Sequence, residues 1–125
     1  MKDTPKVILE SPYSGEVHKN TAYAHGCMMD CFNRGEIPLA SHLLYTQFLD
    51  DTKPKEREMG MLAGFLWREV ADYTVVYIDR GISGGMQEGI NHANKIGHRV
   101  LYRSLYHAEQ DKLATKQVNV SPVDA

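Results

Sequence analysis

Short apolar blocks alternate with amphipathic stretches along this chain, and that alternation predicts strands joined by helical crossovers. Lys6-Val7-Ile8-Leu9-Glu10 reads as a buried strand, which Ser11-Pro12-Tyr13-Ser14-Gly15 breaks sharply. From Val17 to Arg34 the apolar residues Ala24, Cys27, Met28 and Cys31 recur at i, i+3, i+4, i+7, the spacing of one helical face, and Gly35 suits its end. Ile37-Pro38-Leu39-Ala40 is a second strand, expected at a sheet edge because Pro38 has no N–H to give a neighbour. Ser41 to Asp51 reads as a loop carrying Leu43, Leu44, Tyr45 and Phe48. Asp51 or Thr52 is expected to cap the next helix, with Pro54 in its first turn and Met59, Leu62, Ala63, Leu66 and Val70 as its buried stripe.

Tyr73-Thr74-Val75-Val76-Tyr77-Ile78 is almost wholly β-branched or aromatic, as a central parallel strand requires. A glycine-rich turn from Asp79 to Gly85 leads into a helix over about Gly85 to Ile96, which Gly97 closes. Arg99-Val100-Leu101-Tyr102 is the last strand. Ser104 to Lys116 reads as a terminal helix and Gln117 to Ala125 as a polar tail. The pattern predicts an α/β, Rossmann-like domain of three layers, with a short parallel sheet of about four strands in flavodoxin-like order. Residues 1–125 form one domain on this reading, with its core at about 6–105.

Composition narrows the functions this fold can serve. The 125 residues are 42% hydrophobic, enough for a packed core. A formal net charge of −2 argues against a nucleic-acid surface but allows a local arginine for one phosphate. No apolar run is long enough for a membrane span, and no secretory signal opens the chain. Two cysteines, Cys27 and Cys31, are too few for a disulfide framework, so the cytoplasm is the expected location. Both lie on a helix's apolar stripe without a second ligand pair, which reads as core and not as a metal site, despite nearby His25.

Ligands of open parallel sheets bind beyond the carboxyl ends of the strands, where strand order reverses. With the first strand central, that crevice lies between Ser11–Gly15 and Asp79–Gly85. The second segment precedes a helix N-terminus, whose free N–H groups favour an anion, and Gly84 and Gly85 permit close approach. Ser83 suits a cap or a phosphate contact and Arg80 a charge partner, while Met86 opens the helix. An ordinary glycine turn with a capping serine fits the same residues. Ser11, Pro12, Tyr13 and Ser14 offer hydroxyls and an aromatic edge to a sugar or base, or form a surface turn. His42 and Tyr45 follow the second strand and are placed to close over a base. No Ser/His/Asp or Walker-type pattern occurs, and Asp50-Asp51 reads as a solvated loop.

The strand–Ser11-Pro12-Tyr13-Ser14 opening, the Asp79…Ser83-x-Gly85-Met86 turn and Ala93-x-x-x-Gly97 together resemble the nucleoside 2-deoxyribosyltransferase-like superfamily, in particular its small phage and bacterial members. The resemblance covers roughly residues 6 to 105. It implies a nucleoside- or nucleotide-binding domain that forms homo-oligomers, dimers or larger. It also implies N-glycosidic chemistry by a glutamate placed four residues before the helix alanine. Here that position is Gly89, and the nearest carboxylate, Glu88, points roughly 150° from the face shared by Met86, Gly89, Ile90 and Ala93.

The expectation is therefore a protein that binds a nucleotide or ADP-ribose-like ligand without turnover and without a further cofactor. In a phage setting it would sequester a nucleotide-derived immune signal in the host cytoplasm. The phosphate would lie at Ser83–Met86 and the sugar near Ser11 and Tyr13, where Gly89 leaves extra room, with His42 and Tyr45 near the base. The alternatives are an N-glycosidase or deoxyribosyltransferase using Glu88 or Asp79, and an interaction module in which the glycine turn is only a turn.

Overall fold

The computed structural model describes residues 3–106. Strands β1 (Lys6–Glu10), β2 (Ile37–Leu39), β3 (Tyr73–Tyr77) and β4 (Val100–Arg103) form one all-parallel sheet in the order β2-β1-β3-β4. β1 and β3 are central, and Val7 pairs with Tyr73 on one side and with Pro38 on the other. Pro38 thus sits in the edge strand, where its missing N–H costs no ladder bond. Strand order reverses between β1 and β3, the switch point at which such sheets open a crevice.

Helices cover both faces. On one, α1 (Val17–Asn33) lays Ala24, Cys27 and Cys31 at full burial, the two thiols packing with Val7, Leu9, Val75 and Tyr77. On the other, α4 (Gly84–Lys95) buries Met86, Gly89, Ile90 and Ala93, the shared face that the helical angle predicts. Gly35 and Gly97 stand just past α1 and α4 with φ of +81° and +71°. Among the described residues no helix is long and apolar enough to cross a membrane.

Several expectations need correction. The segment after β2 is not a plain loop: it holds a one-turn helix α2 (Ser41–Leu44) and a 3-10 turn over Tyr45–Gln47. Leu43 anchors it to the core, and the Thr46 hydroxyl donates to the His42 carbonyl at 2.6 Å. The next helix, α3 (Pro54–Val70), is capped by neither Asp51 nor Thr52. Lys53 holds the cap position, while Asp50 accepts from Thr52 in its own small turn. β4 runs on to Arg103, and the expected helix from Ser104 has not begun by Tyr106. The remainder of that helix and the 117–125 tail lie outside the described residues.

The largest correction concerns the face of α3. Met59, Leu62, Leu66 and Val70 do form a stripe, but it faces outward, with these side chains 51–70% exposed. The inward face is built from Gly64 and Arg68. Gly64 lets α3 close on α2, since a Cβ there would stand 2.9 Å from the Ser41 hydroxyl. Arg68 is buried because the sheet face beneath it carries Thr74 and Glu10, which it pairs.

Candidate functional site

Glu10 ends β1 and Ser11 follows it, so the strand delivers both to the switch point. A cleft of about 170 Å³ opens there, between the β1–α1 loop, α2, α3 and the start of α4. Ser11, Tyr13 and Ser14 form one wall, His42 and Tyr45 a second, and Ser83, Gly85, Met86 and Gly89 a third. Those nine are the sequence-predicted residues that the fold brings together.

Local bonds hold these walls. The Ser83 hydroxyl caps α4 by accepting from the Met86 N–H at 3.2 Å. Ser11 Oγ and His42 Nε2 lie 2.7 Å apart. Burial pushes the His42 imidazole down to about 4, so it is neutral at physiological pH. Tyr45 Oη accepts from the indole N–H of Trp67 at 2.7 Å, tying the 3-10 turn to α3.

Pro12, Asp79, Arg80 and Gly84 do not line the cleft. Pro12 is buried beneath its loop, and Gly84 faces solvent. Asp79 is a structural latch that accepts from Tyr23 at 2.6 Å, from the Leu105 N–H at 2.9 Å and from the Ser104 hydroxyl. Burial works against its ionisation, yet the hydrogen bonds from Ser104, Tyr23 and Leu105 hold its carboxyl below the usual range. Arg80 turns to α1, giving Nε to Asn20 at 2.7 Å and approaching Glu16 at 3.2 Å. Glu88 is half exposed outside the cleft, 3.7 Å from Arg57. Neither carboxylate named for glycosidic chemistry reaches the cavity.

Sequence reasoning missed Glu10, Arg57 and Arg68, all of which line the cleft. Arg68 and Glu10 form an ion pair on the floor. Burial raises the Glu10 carboxyl to about 7, against the lowering pull of Arg68. Arg68 is further fixed by the Gly89 carbonyl at 2.9 Å and Thr74 Oγ1 at 3.2 Å. Strand alternation held a signal for Glu10, because it shares the α3/α4 side of the sheet with Ile8. Arg57 stands at the rim on α3.

The described residues contain no group of three metal-ligating side chains. Cys27 and Cys31 are free and buried, and burial is the main cause of their raised thiol pKa values.

Compared with known proteins, residues 5–103 match a family described as Domain of unknown function (DUF7768). No curated protein and no solved structure matches the chain.

Proposed function

We propose that this chain, which belongs to the DUF7768 family, binds a nucleotide-type or ADP-ribose-like small molecule in the cleft where β1 and β3 end. One observation carries the reading. Three sequence-distant segments, each nominated by its own chemistry, meet on one cavity at the sheet's switch point. The class of ligand rests on the resemblance to the nucleoside 2-deoxyribosyltransferase-like superfamily. The polar character of the walls suits it, since Ser11, Ser14, Ser41 and Ser83 offer hydroxyls and Tyr13 and Tyr45 offer ring surface.

Charge sets the orientation. Arg57 at the rim, and not Arg80, suits a phosphate, and among the described residues Glu88 is its only carboxylate contact, at 3.7 Å. The displaced positions of Glu88 and Asp79 favour binding over turnover through either group.

Native mass spectrometry of the protein mixed with nucleosides, mononucleotides, ADP-ribose and cyclic ADP-ribose tests the proposal. One-to-one complexes that release unchanged ligand are expected. Free base in solution would shift the reading to glycosidic cleavage, and the absence of any complex would overturn the proposal.

A further inference from the structure

The floor of the cleft contains a carboxylate with an oxygen left over. Glu10 Oε2 accepts from Arg68 Nη2, and among the described residues its Oε1 accepts no hydrogen bond. Its side chain is 13% exposed, and the exposure is to the cleft. An ionised carboxylate is an acceptor only, so whatever meets Oε1 must bring a donor. Arg68 pairs with Oε2 and is anchored on its other side, where Nε donates to Thr74 and Nη1 donates to the Gly89 carbonyl and lies near His92. It is a fixture that holds Glu10 in place.

Gly89 is the other half of the arrangement. A Cβ at that position would lie 2.6 Å from the Glu10 carboxyl carbon and closer still to Oε2. A side chain at 89 and the present Glu10 therefore exclude each other. A carboxyl group reaches the middle of the floor from the strand, at the spot that a side chain from α4 would otherwise fill.

The geometry points to Glu10 as the hydroxyl-reading group of the cleft, with Oε1 accepting a hydrogen bond from a hydroxyl of the ligand's sugar. Oε1 itself offers no proton to a phosphate oxygen, whereas a sugar hydroxyl brings its own. The ligand lies with its sugar down on Glu10 and its anionic end up at Arg57. This deepens the nucleotide-binding reading and rests on it.

Calorimetry with AMP and its 2′-deoxy and 3′-deoxy counterparts tests the assignment. For the wild type, removing the hydroxyl that Glu10 reads weakens binding by about tenfold or more, the usual size of a charge-assisted hydrogen bond. Glu10→Gln erases most of that discrimination, and Gly89→Ala lowers affinity by displacing Glu10. The double variant Glu10→Ala/Gly89→Glu, which moves the carboxyl group to α4 with its space vacated, recovers binding that each single change loses. Wild-type affinity for adenosine, which has no phosphate to titrate, rises with pH through about 7, and that of Glu10→Gln does not. The charged or titrating neighbours of Glu10 are Arg68 on α3 and, beyond it, His92 on α4, and both are unchanged in that variant.

Equal binding of all three nucleotides by the wild type overturns the role of Glu10 and leaves the cleft as a nucleotide site. No binding of any of them overturns both. Should the variants fail to fold, the ¹³C resonance of the Glu10 carboxyl in the wild type decides. A shift on adding AMP supports the assignment, and an unmoved resonance at saturation removes it.

Discussion

Glu10 and Gly89 compete for one volume: the carboxyl carbon of the first lies 2.6 Å from where a methyl group on the second would be. Gly89 sits inside α4, where alanine is ordinarily favoured by about 1 kcal/mol. Overlap with a pinned carboxylate outweighs that gain, since overpacking costs roughly 1–3 kcal/mol. Gly89→Ala is thus expected to destabilise the wild type and to stabilise a Glu10→Ala background. Urea unfolding of the four proteins in this cycle measures the coupling, and an additive cycle would mean that the two residues do not touch.

The outward stripe on α3 gives a second expectation. Leu62 and Leu66 are 51% and 64% exposed, so Leu62→Gln and Leu66→Gln should each change monomer stability by no more than about 0.5 kcal/mol. Were the stripe buried, as its periodicity suggests, truncations there would cost about 2–5 kcal/mol. Chemical denaturation at low protein concentration separates the two. A loss that grows with protein concentration would instead reveal a contact between chains.

That contrast marks where sequence reading reaches its limit. Strand identities, the edge position of Pro38 and the α4 face of Met86, Gly89, Ile90 and Ala93 follow from local rules, because each depends on one element's own geometry. The α3 face does not. Periodicity locates a stripe but not the direction it faces, and Gly64 with Arg68 wins the inner side because Ser41, Glu10 and Thr74 wait there. The site divides in the same way. Ser11, His42 and Ser83 were legible as strand-end chemistry. Asp79 and Arg80 looked equally suitable and are instead claimed by Tyr23, Ser104, Asn20 and Glu16, partners distant in sequence.

Two buried groups should oppose each other in the pH dependence of stability. Burial raises Glu10 from 4.5 to about 7, so the folded state holds a proton that the unfolded chain has released, and stability falls as pH rises through that window. Burial lowers His42 from 6.5 to about 4, so the unfolded chain takes the proton first, and stability rises as pH rises through that one. The windows overlap, and the two slopes partly cancel. Glu10→Gln should leave a curve that climbs more steeply with pH than the wild type, and His42→Gln one that falls more steeply. Parallel curves for all three proteins would refute the assignment.

The final expectation separates the two arginines near the glycine turn. Arg80 faces α1, with Nε on Asn20 and a longer contact to Glu16, so Arg80→Ala should leave the affinity for AMP unchanged within about twofold. Arg57 lines the cleft and is held only loosely by Glu88, so its guanidinium can meet a phosphate without breaking a buried bond. Losing a charge-assisted contact of about 1.5–3 kcal/mol should weaken AMP binding by about tenfold or more in Arg57→Ala. Adenosine, which has no phosphate, should bind that variant and the wild type alike. The wild-type preference for AMP should shrink as salt is added, because the rim is exposed and screened. Glu88→Gln serves as the control. It frees Arg57 without touching the cavity, so AMP binding should hold or improve slightly. If calorimetry finds instead that Arg80→Ala abolishes the preference for AMP and Arg57→Ala spares it, the phosphate lies on the α1 side of the turn. The orientation argued from Arg57 would then be reversed.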